Sequence, residues 1–178
     1  MSTNLQNMSN LDIADLFREG LHHYQEGRLH KAQEICQCIL QKRQHPDALL
    51  ILGMIAHQKN EFKVAVERYQ QFLGIKPDHA QTHYNLGLVL EELGRTEPAI
   101  EHFNESITID ADNAAVHSHL ADAYANLRRW EEAIKAYQRV LAIQAEDVAT
   151  IIKLGNVFFA AQLWTNSIPR YEQALAIQ

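Results

Sequence analysis

Shifted so that Gly53 falls on Gly87, the sequence lines up with itself. Gly53, Gly87, Ala121 and Gly155 fall in one column, and Ala65, Ala99, Ala133 and Ser167 in a second. The rings Tyr69, Phe103, Tyr137 and Tyr171 form a third, and the aliphatics Leu73, Ile107, Leu141 and Leu175 a fourth. Within each column the spacing is constant. An earlier copy, one position short of that spacing, stands at Gly20, Ala32, Cys36 and Leu40. Such a period constrains the chain more than any other feature. It means one supersecondary unit written several times, each copy burying its apolar face against its neighbours.

Within each copy the apolar positions recur at three and four, the spacing of one helical face, and no segment sustains the alternation of a strand. Residues 80–113 read as two amphipathic helices joined at Gly94-Arg95. The small residues of the first two columns let paired helices approach closely. The ring four positions after the second small one fills the space beside that contact. Pro98 falls in the first turn of its helix, where a missing N–H is harmless. Pro46 and Pro77 fall between copies, and Pro169 requires the last helix either to start near Asn166 or to bend. Asp12 is placed to cap the first helix, and the polar stretch 1–12 reads as a disordered tail.

A helix–turn–helix unit of about 34 residues with this small–aromatic–small pattern resembles the tetratricopeptide repeat family. The likeness runs from Ile13 to Gln178, in copies 13–45, 46–79, 80–113, 114–147 and 148–178. It departs from the family at Cys36, where a ring is expected, and at Ala111 and Ala145, where proline is frequent. The resemblance implies an all-α, right-handed superhelical solenoid of about five units and ten helices, with the first helix of each pair lining a concave groove. It also implies which positions face a ligand. Toward the N-terminus these include Phe17, Leu21, Tyr24, Leu50, Ile51 and Met54, followed by Leu88, a largely apolar run. It either receives an apolar helix or extended peptide or packs upon itself. Tyr84, Asn85, His119, Asp122 and Asn156 supply polar selectivity. The family's lysine–asparagine clamp for chaperone tails is missing, since no repeat pairs Lys at position 5 with Asn at position 9. The asparagine ladder of sugar-transferring relatives is reduced to Asn85.

The two ends differ. In the first helix the outward column reads Asp15, Glu19, His22 and Glu26. In later copies the same column is apolar, as in Ala48, Leu52 and Ile55, or Val116, Leu120 and Ala123. A polar outer face is what a terminal repeat needs for solubility, so Ile13 is expected to begin a true cap. The last helix instead carries Ile168, Tyr171 and Leu175 on one stripe with nothing following to cover it. A fragment of a longer protein, or an oligomer pairing through this helix, is the expectation.

Net charge is −6 and no Lys/Arg run exceeds two residues, which disfavours nucleic acid as the main ligand. There is no apolar run of membrane-spanning length and no secretory leader, so the expected location is cytoplasmic. Cys36 and Cys38 lie about 200° apart on a helix and read as reduced thiols, Cys36 on the core column. His83 and His117 share a column, with His79 and His119 nearby, and read as space-filling rather than metal-binding. The pairs Glu91-Glu92 and Glu131-Glu132 diverge on their helices. No nucleophile elbow, phosphate loop or zinc-protease motif occurs, so neither a catalyst nor a cofactor is expected. The function expected is a scaffold holding a peptide or helix of a partner protein in its groove. The alternatives are the substrate-recruiting arm of a longer enzyme, such as a glycosyltransferase continuing past Gln178, and a self-assembly module.

Overall fold

The computed structural model describes residues 10–177, with side chains from 12 onward. Among the described residues there are ten helices and no strand: α1 (Asn10–Gln25), α2 (Leu29–Lys42), α3 (Pro46–Gln58), α4 (Phe62–Leu73), α5 (Ala80–Glu92), α6 (Thr96–Ile109), α7 (Ala114–Asn126), α8 (Trp130–Ile143), α9 (Val148–Ala160) and α10 (Trp164–Ile177). They form an all-α repeat solenoid in which consecutive odd and even helices pair. The chain divides into two compact units, α1–α4 ending at Asp78 and α5–α10 beginning at His79.

The column pattern becomes packing. A Cβ added at Gly53 would lie 2.6 Å from Tyr69 Cε1, at Gly87 2.4 Å from Phe103 Cε1, and at Gly155 2.8 Å from Tyr171 Cε1. The small residue of the first helix is therefore the floor on which the ring of the second helix lies. The second small column is fully buried at Ala32, Ala65, Ala99 and Ala133, and nearly so at Ser167, whose hydroxyl donates to the Gly155 carbonyl at 3.1 Å. Cys36 is buried on its core column, and burial pushes its thiol up to about 12.

Two further columns punctuate the helices. His45, His79, Asn113 and Asp147 share one repeat register. Each is an N-cap, and their side chains accept the backbone N–H of Ala48, Thr82, Val116 and Ala149. These bonds satisfy donors that the first turn of a helix leaves without intrahelical partners. The turn inside each pair is made by a residue with positive φ: Gly27, Asn60, Gly94, Arg128 and Gln162. Glycine fits that conformation at no steric cost, whereas Arg128 and Gln162 adopt it against their Cβ.

The outward column of first helices behaves as its chemistry dictates. Ala48, Leu52, Ile55, Val116, Leu120, Ala123, Thr150, Leu154 and Val157 are buried, with α3 on α2, α7 on α6 and α9 on α8. Asp15, Glu19, His22 and Glu26 are exposed.

Three sequence expectations change. Helix α1 begins at Asn10, so residues 10–12 are helical rather than tail, and the rest of the expected tail lies outside the described residues. Asp12 consequently sits in the first turn and is not the N-cap. Helix α10 begins at Trp164, so Pro169 lies inside it and does not mark a start at Asn166. The turn at Gln162 fixes the start of α10, and Pro169 falls in its second turn.

Candidate functional site

In the first unit, Phe17, Leu21 and Tyr24 are half-buried and pack against a core cluster that includes Ile51 and Leu52. Ile51, expected in a ligand-facing position, is only 4% exposed and belongs to that core. This is a correction: a large β-branched side chain there is drawn under its apolar neighbours. The ring of Phe17 stacks at 4.8 Å on the His45 imidazole, and the Tyr24 hydroxyl accepts from Gln58 Nε2 at 3.0 Å. Burial raises the Tyr24 phenol above its ordinary range and lowers His45 below its own. Leu50 and Met54 stay half-buried.

In the second unit the first helices carry a chain of polar contacts. On α5, Gln81 Nε2 donates to Asn85 Oδ1 at 2.9 Å, which leaves the Asn85 amino group to donate. The Tyr84 ring meets the His119 ring of α7 edge-on at 5.6 Å, and His119 Nδ1 lies 3.5 Å from Glu91 Oε2. Burial, with the charge of Glu91 second, raises the Tyr84 phenol. Leu88, one turn from Tyr84, is half-buried.

Farther along, Asp122 of α7 accepts twice, from the Tyr137 hydroxyl of α8 and from Lys153 Nζ of α9 at 2.7 Å. Burial first, and then the hydrogen bond to Asp122, push the Tyr137 phenol far above its ordinary range. That proton therefore stays on the phenol and fixes the carboxylate. Asn156 of α9 accepts at Oδ1 from the Tyr171 hydroxyl at 2.8 Å, leaving its own amino group to donate. Beside it lies a cavity of about 250 Å³ with an apolar floor of Ala125, Tyr137, Val157 and Ala160 and with Lys153 and Asn156 on its wall.

The geometry thus joins Tyr84 to His119, places Asn156 on the cavity wall, and ties Asp122 to two of the cavity's lining residues, Tyr137 and Lys153. Lys153 and Glu91 stand at positions that the resemblance turns toward a ligand, but neither is among the residues expected to give selectivity. The available signal was their register: Lys153 stands in the repeat after Asp122, and Glu91 in the repeat before His119. The histidines disperse. His79 caps α5, His83 Nδ1 meets His102 Nδ1 at 3.1 Å, and the ring of His117 contacts the Ala111 carbonyl at 2.9 Å. Among the described residues no three His, Cys, Asp or Glu side chains gather as metal ligands, and no helix is long and apolar enough to cross a membrane. Chemically the site offers donors, the carboxylates of Glu91 and Asp122, each with a partner, and an apolar recess.

Comparison with known proteins bears on the fold. A crystal structure of MamA protein superposes with a TM-score of 0.87 at 18% identity, over 93% of this chain and 91% of that one. The MamA RS-1 ArsTM double mutant gives 0.85 at 18% identity, over 93% and 94%. MamA MSR-1 C2 gives 0.81 at 16%, over 94% and 97%. At such identities the likeness is one of fold alone. No curated protein matches the sequence. A family model described as TPR repeat matches residues 53–94, and one described as Tetratricopeptide repeat matches 90–154. Together they span more than half of the chain. With the repeating columns, the paired helices and the glycine–ring contacts, the chain belongs to the tetratricopeptide repeat family.

Proposed function

We propose that the protein is a binding scaffold, and that the face carried by α5, α7 and α9 holds a short extended segment of a partner protein. The observation that supports this most is the pair of oriented asparagines. Asn85 and Asn156 each have the amide oxygen engaged, by Gln81 and by the Tyr171 hydroxyl, so the N–H groups of each are left to donate to a partner. A row of fixed donors suits the carbonyls of an extended backbone, and an adjoining apolar recess suits one large side chain. Because the polar groups are already oriented by Tyr137, Tyr171 and Gln81, little ordering cost remains for binding.

The partner is a protein rather than a nucleic acid. The chain carries net charge −6, and the cation on this face, Lys153, is paired with Asp122. Both cysteines are free thiols, which suits a reducing compartment such as the cytoplasm. The reading assigns no bond-making chemistry to the site.

The test is an array of short acetylated peptides screened against the purified chain, followed by affinity measurement for the tightest. Asn156→Ala is expected to weaken that peptide about fivefold, the loss of roughly 1 kcal/mol for one hydrogen bond. Asp15→Ala, on the outer column of α1, should leave it unchanged. A peptide bound equally by all three proteins would contradict the placement.

A further inference from the structure

We infer that a recess between α6, α7 and α8 binds an N–H azole, a small planar ring that donates one hydrogen bond to His117 Nδ1. The recess has a volume of about 270 Å³, with Ile107 of α6, His117, Leu120 and Tyr124 of α7, and Ala136 of α8 in its lining. It is open because one repeat column lacks a large side chain at this copy. Where the fourth copy has Ala136, the others carry Ile35, Arg68, His102 and Arg170.

The third copy shows what fits there. His83 stands one repeat before His117, and His102 one repeat before Ala136. His83 Nδ1 meets His102 Nδ1 at 3.1 Å, with the ring centroids 5.4 Å apart. An imidazole therefore occupies, beside His83, the place that Ala136 leaves empty beside His117. The anchor is already set. His117 is only 7% exposed, and its Nε2 lies 2.9 Å from the Ala111 carbonyl oxygen. A carbonyl only accepts, so Nε2 carries the proton, and the neutral ring has a bare acceptor at Nδ1. Among the described residues that nitrogen has no hydrogen-bond partner, and a polar atom on so buried a side chain calls for one. The repeat register directs it at residue 136, as His83 Nδ1 is directed at residue 102. Ile107, Leu120 and Ala136 offer apolar contact to the faces of a ring. A few convergent polar groups in an apolar recess are the usual make-up of a small-ligand site. The rim does not compete for the ligand: Glu132 pairs with Arg129, Arg139 pairs with Asp112, and Lys135 is exposed to water. The recess is separate from the face of α5, α7 and α9, and the inference does not depend on that face.

The experiment titrates the ¹⁵N-labelled chain with pyrazole and with 1-methylpyrazole, both uncharged near neutral pH, and follows the histidine side-chain nitrogens. Pyrazole should shift His117 Nδ1 while Nε2 keeps its proton, with a dissociation constant on the order of 1 mM, the range open to so small a ligand. The methylated ring has no donor and should bind about fivefold more weakly. Ala136→His should rebuild the histidine pair of the third copy and abolish the pyrazole shift, with its circular dichroism spectrum unchanged. Comparing 4-methylimidazole with N-acetylhistidine methylamide separates the sources of the ring. Equal affinity assigns the site to a histidine side chain of a partner, loss of the second probe assigns it to a free azole, and either supports the site. No shift at His117 at tens of millimolar pyrazole, equal affinity for the two pyrazoles, or undiminished binding by a folded Ala136→His chain would each overturn the inference.

Discussion

Phe103 is fully buried against Gly87, and a Cβ at residue 87 would come within 2.4 Å of its ring. Gly87→Ala gains roughly 1 kcal/mol of helix propensity but forces a packed ring to move, at a cost of about 1–3 kcal/mol. Overpacking should win, and denaturant titration should show net destabilisation. Gly87→Ala/Phe103→Leu should recover part of the loss, because a smaller side chain leaves room for the methyl. Turn residues carry the opposite sign. Arg128 holds φ 58°, at a cost of about 1–2 kcal/mol relative to a right-handed conformation. Arg128→Gly removes that strain while loosening the unfolded chain by about 0.4–1 kcal/mol, so a small rise in midpoint is expected. His45 links residue chemistry to pH. Its imidazole must be neutral to accept the Ala48 N–H, and burial lowers its pKa below 6.5. With the folded value below the unfolded one, its contribution is complete above pH 6.5 and is lost as pH falls through the folded value. His45→Asn, which caps without titrating in this range, should flatten that part of the stability–pH curve. An unchanged curve would contradict the cap's role.

At the scale of elements, α10 carries an internal defect. Pro169 cannot donate to the Thr165 carbonyl, and its ring crowds that group, a cost of about 3 kcal/mol in a helix interior. Pro169→Ala should raise the melting midpoint and slow amide exchange in α10 specifically. Equal exchange in both proteins would contradict the cost assigned to Pro169. Helix existence and pairing were legible because the two small-residue columns and the ring column repeat without interruption from 53 to 171. Boundaries were less so. The caps form a column as regular as the rings, yet His45 and His79 are not residues usually read as caps, and the pattern emerges only with Asn113 and Asp147 beside them. Likewise Arg128 and Gln162 adopt a turn conformation that their side chains do not announce, unlike Asn60. Their repeat register imposes it.

For the molecule as a whole, the burial of the outward column was legible as a polarity contrast: Asp15 and Glu19 stay in water, whereas Leu52 and Ile55 are buried on a helix packed against α2. The binding face was legible only as positions. Ile51 has the register of a ligand-facing residue and is core, since register gives direction but not how closely Phe17 and Tyr24 fold over it. Asp122 was visible, but its partner Lys153 lies on a different repeat, and no property of either residue alone predicts the pairing. We propose that the face of α5, α7 and α9 is arranged in advance to hold a partner segment. The most direct test is the ¹H–¹⁵N spectrum of the labelled chain titrated with the tightest arrayed peptide. Shift changes concentrated at Asn85, His119, Asp122, Lys153 and Asn156, with α6 and α8 nearly silent apart from Tyr137, are the predicted result. Changes centred on α6 and α8, or none at a saturating concentration, would contradict it.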